Sequence, residues 1–491
     1  MNEDVKRVSS GFIWRLLERF GAQGVTLIVS IVLARMIAPE IYGNIALVMI
    51  FITIMQVFVD SGLGNSLIQK KDSDDIDFST VFWFNIIFCL FLYAVIFFAA
   101  PFIALWFEIQ EFTSVLRILG LTIIISGVKN IQQAYVSKHM QFKKFFFSTL
   151  GGTIGAAVVG IVMAIKGFGI WALVAQSLFN VLVDTIILWI VVKWKPKFVF
   201  SFSRLKVLYS YGWKILVSTL IDTIYNDIRS LIIGKMYSSE DLAYYNKGSQ
   251  FPTLLVSNIN SSIDSTLFPA MSLVQEDKER IKAITRRSIK VSTFVIFPMM
   301  AGLVACASPF VRFLLTDKWI DAIPFLQIIS CALAFYPIST ANLSAMKAIG
   351  RSDLYLKLEI VRKAVNTIFL LTAMWFGPLA IALSLLANSL VNSIINSIPN
   401  KKLLSYGYFE QLKDILPTLL IAVIMGATVY CFNFLNFSSW FLLLIEVPTG
   451  IVLYIVLAKL FKIDSLLYVV NVAKSYLKRN KKVEEKTNDT L

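Results

Sequence analysis

Long apolar segments alternate with short polar loops along almost the whole chain. Nearly every apolar segment has roughly 18 residues or more, and such a segment can cross about 30 Å of hydrocarbon as an α-helix. The pattern predicts an all-α polytopic membrane protein with about fourteen membrane-spanning helices. Their expected ranges are 12–37, 41–67, 79–106, 113–136, 145–166, 169–193, 209–235, 248–274, 289–315, 321–346, 354–376, 378–399, 414–434 and 438–461.

The sequence contains an internal repeat of roughly two hundred residues. Residues 39–44 (PEIYGN) and 239–244 (SEDLAY) each follow a long apolar segment, and residues 169–187 match 377–395. Two copies of a six-helix unit are typical of carriers, whose substrate site lies between the halves. We therefore expect a transporter with two pseudo-symmetric six-helix bundles and two additional C-terminal helices. The expected domains are an N-terminal lobe (1–200), a C-terminal lobe (201–402), the additional helices (403–473) and a polar cytoplasmic tail (474–491).

Composition and charge agree with a membrane protein. Apolar residues make up 57% of the chain, charged residues make up 16%, and the mean hydropathy is +0.72. The net charge of +15 comes largely from lysines and arginines in alternate loops, such as those within 193–206 and 278–290. Basic residues concentrate in cytoplasmic loops, so this distribution predicts that both termini are cytoplasmic. It also argues against nucleic acid as a partner.

The sequence offers no residues for several kinds of chemistry. Cys89, Cys306, Cys331 and Cys431 fall inside apolar segments, where we expect small buried side chains rather than disulfides or metal ligands. The single histidine, His139, falls in a loop. We find no Walker A loop, no dinucleotide fingerprint and no cleavable signal peptide. We therefore expect neither enzymatic activity nor a cofactor, and transport would use a proton or sodium gradient or the substrate's own gradient.

Charged residues and one asparagine inside three predicted helices are candidates for a substrate-binding cavity. An ionised side chain in hydrocarbon costs roughly 2.5–3.5 kcal/mol, so such residues normally face a cavity or a partner. Within each helix they recur at three- or four-residue spacing and share one face. The candidates are Arg15, Glu18, Arg19, Asp222, Asn226, Arg229, Arg362 and Lys363. Because arginine binds phosphate through two parallel hydrogen bonds, this set favours an anionic substrate.

Each group of candidates also has a purely structural interpretation. The charged residues of 12–37 lie within two turns of the predicted cytoplasmic surface and could pair locally. Asp222 and Arg229 could form a buried ion pair instead of lining a hydrated cavity. Glu359 could pair with Lys363 one turn later.

A second polar pattern follows the helices predicted at 169–193 and 378–399. Polar residues recur there at every fourth position and align in the repeat. They are Gln176, Asn180 and Asp184 in the first copy and Ser384, Asn388, Asn392 and Asn396 in the second. Amides in lipid join helices by hydrogen bonds, which is the expected role, and substrate binding is the alternative.

Short motifs occur in a fixed order along nearly the whole chain. They are 9–14 (SSGFIW), 34–43 (ARMIAPEIYG), 60–63 (DSGL), 140–143 (MQFK) and 268–272 (FPAMS). In order and spacing they resemble the Wzx-type flippases of polysaccharide biosynthesis, which belong to the multidrug/oligosaccharidyl-lipid/polysaccharide exporter superfamily. The chain is most similar to the subgroup of colanic-acid and teichuronic-acid exporters.

This resemblance implies two six-helix bundles that rock around a central cavity. It implies a substrate consisting of a short oligosaccharide on undecaprenyl pyrophosphate, moved to the outer leaflet of the bacterial cytoplasmic (inner) membrane. The product would be an exopolysaccharide or another extracellular polymer, such as the O-antigen of lipopolysaccharide. Membrane lipids, a polysaccharide polymerase and chain-length machinery would be the other partners.

Three other functions are open at this point. A multidrug/cation antiporter of the same fold would depend on carboxylates rather than on arginines. A membrane glycosyltransferase or polymerase would need a sizeable loop or an acid/base cluster on one side, and the outer loops are too short for either. A non-transporting scaffold would use the basic loops and tail, which also suit simple contact with anionic lipids.

Overall fold

The computed structural model describes residues 3–60, 62–435, 437–471 and 474. These residues form helices joined by short loops and turns, with no strand among them. The chain divides into two compact units, Met1–Ala243 and Tyr244–Leu491. The lobe boundaries expected from the repeat rest on similarity between the two copies and stay a prediction. The predicted polar tail lies, apart from residue 474, outside the described residues.

The first unit is built around a layer of long helices. The described helices are α1 (Glu3–Met36), α2 (Pro39–Asp60), α3 (Leu63–Gln69), α4 (Asp75–Phe107), α5 (Phe112–Lys138), α6 (Lys143–Ile165), α7 (Ile170–Val191) and α8 (Phe202–Met236). α6 packs between α1 and α7, and α5 contacts α2, α4 and α7. α8 packs against α2 and α3. The next helix, α9 (Ser239–Ser272), begins at the end of this unit.

The second unit contains most of α9 and the helices that follow it. They are α10 (Lys278–Ala305), α11 (Ala307–Leu315), α12 (Ala322–Ala334), α13 (Tyr336–Ala348), α14 (Ser352–Ala373), α15 (Pro378–Leu404), α16 (Tyr408–Tyr430) and α17 (Ser439–Leu460). α10 contacts α12, α13 and α16, while α15 contacts α12, α13 and α14. α17 packs against α16 and α11.

Eleven helical segments among the described residues are long and apolar enough to cross a membrane. α4 illustrates their surface, because Phe98, Phe102 and Leu105 are each more than two-thirds exposed. Such a continuous apolar surface is suited to lipid and would be unusual on a soluble protein. The chain is therefore a multi-pass membrane protein.

Three further long helices, α8, α9 and α14, fall outside that set of eleven. They correspond to the spans predicted at 209–235, 248–274 and 354–376. Polar residues interrupt their apolar sequence, which lowers their hydropathy below that of the other spans. With them, each of the fourteen predicted spans has a helical counterpart, so the predicted all-α fold class is confirmed.

Three predicted spans are not continuous helices. The second is interrupted at Gly62, whose φ of +68° is left-handed, and a Cβ there would lie 2.3 Å from the Gly212 carbonyl oxygen. The ninth is interrupted at Cys306, and the tenth at Phe335, two residues before Pro337. Proline has no backbone N–H to continue a helix and is favoured in the first turn of a new one. This last interruption makes α13 a separate helix.

The prediction for the cysteines is correct for two of the four. Cys89 and Cys306 are buried, but Cys331 is half-buried and Cys431 is exposed. Cys431 begins a short 3-10 turn after α16, and helix ends leave more side-chain surface uncovered than helix centres. All four cysteines are free thiols.

The loop before α4 is ordered by its own carboxylates. The Asp74 carboxylate accepts hydrogen bonds from the backbone N–H groups of Ile76 at 3.1 Å and Asp77 at 3.0 Å. These contacts form a capping box at the helix N-terminus. The Arg204 guanidinium donates to the same carboxylate and lowers the pKa of Asp74 to about 2. The pair attaches the beginning of α8 to the beginning of α4.

Gly43 permits a close approach of two backbone segments. A Cβ atom at this position of α2 would lie 1.6 Å from the carbonyl oxygen of Ser239, the first residue of α9. The obstacle is backbone rather than the end of a flexible side chain, so it cannot simply rotate away.

We expect Gly43→Ala to lower the melting temperature of the purified protein by several degrees, because overpacking of this kind typically costs about 1–3 kcal/mol. Thermal unfolding in detergent measures the effect. Gly24→Ala in α1 is the matched control, since no atom lies within 4 Å of its Cβ position. Equal melting temperatures for the two variants would contradict the interpretation.

Candidate functional site

Three helices line an open polar cavity of about 460 Å³ in the second unit. α9, α13 and α14 each contribute one face to it. The lining residues are Ser257, Asn260, Ser261 and Asp264 on α9, Tyr336, Thr340, Leu343 and Lys347 on α13, and Tyr355, Glu359 and Arg362 on α14. We refer to this space as the polar cavity.

Helical spacing explains how three sequence segments produce one polar lining. On each helix the lining residues recur every three or four positions, so they lie on a single face. Polar faces on α9 and α14 also account for the low hydropathy of these two spans. The cost of polar groups in a membrane bundle is reduced when they face a common hydrated space.

The charges of the polar cavity are balanced. Asp264 accepts a hydrogen bond from the Ser344 hydroxyl at 2.8 Å. Arg362 forms an ion pair with Glu359, which precedes it by one turn on α14. The fourth charged group, the Lys347 ammonium, lies 5.0 Å from the centre of the Tyr355 ring. The lining therefore presents two cations and two carboxylates.

Two groups of the lining keep unused hydrogen-bonding capacity. Asn260 is 6% exposed, and its Oδ1 atom has no hydrogen-bond partner among the described residues. The Nε atom of Arg362 likewise lacks one within the described part of the chain. Buried polar atoms are nearly always satisfied in folded proteins. Water or a bound ligand is therefore expected to satisfy them here.

This lining suits an anionic, hydroxyl-rich ligand. Guanidinium and ammonium groups donate to phosphate oxygens, while carboxylates and amides accept from sugar hydroxyls. Metal binding has less support, because no group of three or more His, Cys, Asp or Glu in the described residues could hold an ion.

A buried amide cluster lies behind α13. The Asn342 amide donates to Gln411 Oε1 at 2.9 Å, and the Gln411 amide donates back to Asn342 Oδ1 at 2.9 Å. Asn400 Nδ2 donates to the same Asn342 oxygen at 2.6 Å. All three side chains are almost completely buried. The cluster joins α13, α15 and α16 and so orients the face that α13 presents to the polar cavity.

We expect Asn342→Ala and Gln411→Ala each to destabilise the protein by about 1–3 kcal/mol, because each leaves a buried partner unsatisfied. The double variant removes both amides, so neither is left without its partner. Its loss of stability should therefore be smaller than the sum of the losses in the two single variants. Thermal unfolding of the four proteins forms a double-mutant cycle. Strictly additive losses would contradict a direct interaction between the two amides.

The candidates on α1 lie in the first unit. Arg15 pairs with Glu18 at 3.0 Å, and its guanidinium lies 5.0 Å from the Phe145 ring centre. This is the local pairing considered as the structural alternative. Arg15 and Arg19 are exposed at the protein surface, whereas Glu18 is partly covered.

The candidates on α8 also lie in the first unit. Asp222 and Asn226 are exposed, and Arg229 is only 8% exposed. The Nε atom of Arg229 has no hydrogen-bond partner within the described residues. Asp222 and Arg229 are seven residues apart, which places them on one face roughly 10 Å apart along the helix. Arg229 thus resembles Arg362, which is partly buried, in having a buried Nε atom with capacity for another acceptor.

Arg362, one of the two candidates on α14, lines the polar cavity, whereas Lys363 is not among its lining residues.

Some residues of the two polar patterns predicted at 169–193 and 378–399 have structural roles. Asp184 on α7 pairs with Lys129 on α5 at 3.1 Å, and Asn392 on α15 donates to Asn366 on α14 at 3.3 Å. These contacts join neighbouring helices, as the interpretation of interhelical hydrogen bonding requires.

Sequence reasoning missed most of the lining on α13. Lys347 falls just after the span predicted at 321–346 and therefore in a predicted loop, and Tyr336 and Thr340 are not among the sequence candidates. The available signal was the proline at position 337, which predicts the start of a new helix whose polar residues then recur every three or four positions. The amide cluster had a signal too, because Asn400 continues the four-residue spacing of asparagines along α15.

The helical fold and the polar cavity define the class, which is a polytopic membrane protein with the features of a carrier. Comparison with protein families is more specific. Residues 32–324 match the family described as "Polysaccharide biosynthesis protein". The chain belongs to this family, which confirms the resemblance predicted from the short motifs.

Two relatives illustrate the family. Over 365 residues the chain is 25% identical to the succinoglycan biosynthesis transport protein ExoT of Rhizobium meliloti (strain 1021), and the match covers 74% of each chain. Over 306 residues it is 28% identical to the teichuronic acid biosynthesis protein TuaB of Bacillus subtilis (strain 168). That match covers 61% of this chain and 62% of TuaB, which is less than two thirds of either.

Solved structures show the same fold at low sequence identity. The lipid II flippase MurJ in an inward closed conformation has a TM-score of 0.74 and 17% identity, with 92% of this chain and 99% of that chain covered. An inward-facing multidrug resistance MATE family transporter has a TM-score of 0.61 and 16% identity, with 78% and 94% covered. At these identities the likeness establishes the fold alone.

Proposed function

We propose that this protein is a flippase for undecaprenyl-pyrophosphate-linked oligosaccharide units, which it moves across the membrane by alternating access for extracellular polysaccharide synthesis. The observation that supports this most strongly is the polar cavity, in which two cations, two carboxylates and several hydroxyl groups meet between α9, α13 and α14. Membership in the polysaccharide biosynthesis family supports the class of cargo.

The lining of the polar cavity suits the transport of such a substrate through hydrocarbon. A pyrophosphate and its sugars cannot cross hydrocarbon unaided, because each charge and hydroxyl would lose its hydration. In the proposed mechanism Arg362 and Lys347 replace water around the phosphates, and Asp264 and Glu359 accept hydrogen bonds from sugar hydroxyls. The polyprenyl chain stays in the lipid, where its transfer costs nothing. The protein is therefore needed only to move the polar headgroup across the membrane.

The remaining candidates are proposed as further substrate contacts. They are Arg15, Glu18, Arg19, Asp222, Asn226, Arg229 and Lys363. Arg229 has the strongest support among them, because it is buried and its Nε atom has no partner among the described residues. An intramembrane arginine with spare hydrogen-bonding capacity is suited to an anionic cargo.

A multidrug/cation antiporter is the alternative function. The likeness to the MATE transporter is a likeness of fold and does not favour it. A site for organic cations needs an excess of negative charge, whereas the charges of the polar cavity are balanced. The similarity to a succinoglycan biosynthesis transport protein and a teichuronic acid biosynthesis protein supports the flippase instead.

The setting of the proposed reaction follows from the cargo. We place the protein in the bacterial cytoplasmic (inner) membrane with both termini cytoplasmic, where a polysaccharide polymerase and chain-length machinery would use its product. We assign no catalytic residue and no cofactor. A proton or sodium gradient, or consumption of the product, would supply the driving force.

The proposed function predicts flipping by the purified protein. In liposomes with undecaprenyl-pyrophosphate oligosaccharide in both leaflets, an added glycosidase should reach more than the outer-leaflet fraction only when the protein is present. Arg362→Gln should reduce the initial rate roughly ten- to a hundredfold, because a charge-assisted hydrogen bond contributes about 1.5–3 kcal/mol. Arg362→Lys keeps the charge and should be intermediate.

Arg312→Gln is the control for this experiment. Arg312 belongs to an ion pair with Asp317 at 3.3 Å in which both side chains are largely exposed, and such pairs contribute little. Its flipping rate should equal that of the wild type. Uptake of cationic dyes without any gain in glycosidase access would support the antiporter and reject the flippase.

Arg229→Ala tests the first unit separately. We expect polymer export in cells to be lost while the amount of protein in the membrane stays near that of the wild type, because the change removes a contact with the cargo. Export assays and immunoblots of membrane fractions measure the two quantities. Normal export would exclude Arg229 from substrate binding, and loss of the protein from the membrane would show a structural role.

A further inference from the structure

Glu446 is a buried glutamate within a membrane-spanning helix. It lies on α17, roughly 10 Å along the helix axis from the first residue. The residue is 0% exposed. Neither carboxyl oxygen has a nitrogen or oxygen hydrogen-bond partner in the part of the chain that the structure describes. The Cys306 thiol, which is only a weak donor, lies beside the carboxyl group. Intramembrane ionisable groups are costly and usually functional.

The carboxyl group lies beside a cavity of about 490 Å³ that is separate from the polar cavity. α9, α10, α11, α16 and α17 all contribute to its lining, which is almost entirely apolar. Leu303, Met425 and Ile451 are typical members. The two cavities share no lining residue. Any role of Glu446 is therefore distinct from direct contact with the proposed cargo in the polar cavity.

The surroundings of Glu446 include no compensating charge. Cys306 and Tyr454 are the other titratable residues of the described lining, and the Tyr454 hydroxyl donates to the Phe294 carbonyl at 2.8 Å. The lining contributions of α9 and α16 are uncharged. Arg312 on α11 is outside the lining and pairs with Asp317 at 3.3 Å.

The cationic residues of α10 are also outside this lining. They occupy its N-terminal half, up to Lys290, which contacts Asp414 on α16 at 3.4 Å. On α17 itself Lys459 lies roughly 20 Å along the axis from Glu446. No counter-ion for a carboxylate is thus present in the described lining.

A carboxylate ion buried in this way would have lost its hydration and gained only a weak thiol donor instead of a counter-ion, at a cost of several kcal/mol. The neutral acid avoids most of that cost. We propose that Glu446 is a proton-binding site, which holds a proton while the carboxyl group is buried, as it is here, and releases it when water reaches the carboxyl group. Exposure of the carboxyl group would require α17 to move away from α11 and α16, against which it packs, so proton occupancy and the position of α17 are linked.

A hydrophobic carbodiimide tests proton binding directly, because it reacts with protonated carboxylic acids in apolar surroundings. Protein in liposomes is treated with dicyclohexylcarbodiimide at about pH 7.5, where an exposed glutamate is ionised, and the modified residue is located by mass spectrometry. We expect modification at Glu446 and little at Glu410, a partly exposed glutamate that serves as the internal control. Modification of Glu410 alone would overturn the proposal.

Infrared spectroscopy provides a second measurement that does not depend on reagent access. The wild type should show the C=O stretching band of a protonated carboxylic acid at neutral pH, and Glu446→Gln should lack it while Glu410→Gln retains it. Identical spectra for wild type and Glu446→Gln would show that Glu446 is ionised and would overturn the proposal. Neither measurement requires the protein to be a flippase.

The link to transport rests on the proposed function and has its own readout. In the glycosidase assay an imposed proton gradient should change the flipping rate of the wild type severalfold and leave that of Glu446→Gln unchanged. Equal responses of both proteins would confine Glu446 to a structural role. Absence of flipping in every variant would reject the proposed function, whereas the labelling and infrared results would still decide whether Glu446 binds a proton.

Discussion

The cost of placing polar groups in hydrocarbon is the constraint on which the rest of this structure depends. It requires every backbone N–H and C=O group to be bonded within its own segment, which selects helices over isolated strands. It also leaves apolar side chains on the lipid-facing surface, as on α4. Polar residues are tolerated only where they share a cavity or satisfy one another. α9, α13 and α14 show the first solution, and the cluster of Asn342, Asn400 and Gln411 shows the second.

This constraint explains why the sequence predicts the fold well. A membrane span is detected from the mean hydropathy of about twenty consecutive residues, so a few polar positions do not prevent its detection. The span predicted at 438–461 is α17 (Ser439–Leu460), and that predicted at 113–136 is α5 (Phe112–Lys138). Interruptions were harder to foresee, because Gly62, Cys306 and Phe335 each separate two helices within a segment that is apolar as a whole. Each depends on local backbone geometry rather than on average composition.

The candidate site was only partly predictable, for a different physical reason. Helical periodicity shows which residues share a face, but it does not show which faces of different helices meet. Arg362 was recognised because an arginine inside a span is conspicuous on its own. Lys347 falls just beyond the predicted span 321–346, and only the packing of α13 against α14 brings its ammonium group near Tyr355. Asn342 could not be distinguished from other small polar residues, because its importance lies in two partners far along the chain.

In this protein, buried polar groups that have partners within the protein have structural roles, and those with atoms that lack such partners are the functional candidates. Asn342 uses its amide oxygen and nitrogen within the protein, and Lys129 pairs with Asp184, so these groups hold helices together and have little capacity left for a ligand. Arg362 is partly buried and Glu446 is fully buried, and each keeps polar atoms that no nitrogen or oxygen of the described residues satisfies. A buried polar atom without a partner in the protein is tolerated when another species, such as water, a ligand or a proton, satisfies it. For Arg362 the surrounding polar groups point to an anionic headgroup, whereas the apolar surroundings of Glu446 leave a proton as the species that makes the group neutral. The same constraint therefore accounts for the fold and separates the proposed cargo site from the proposed proton site.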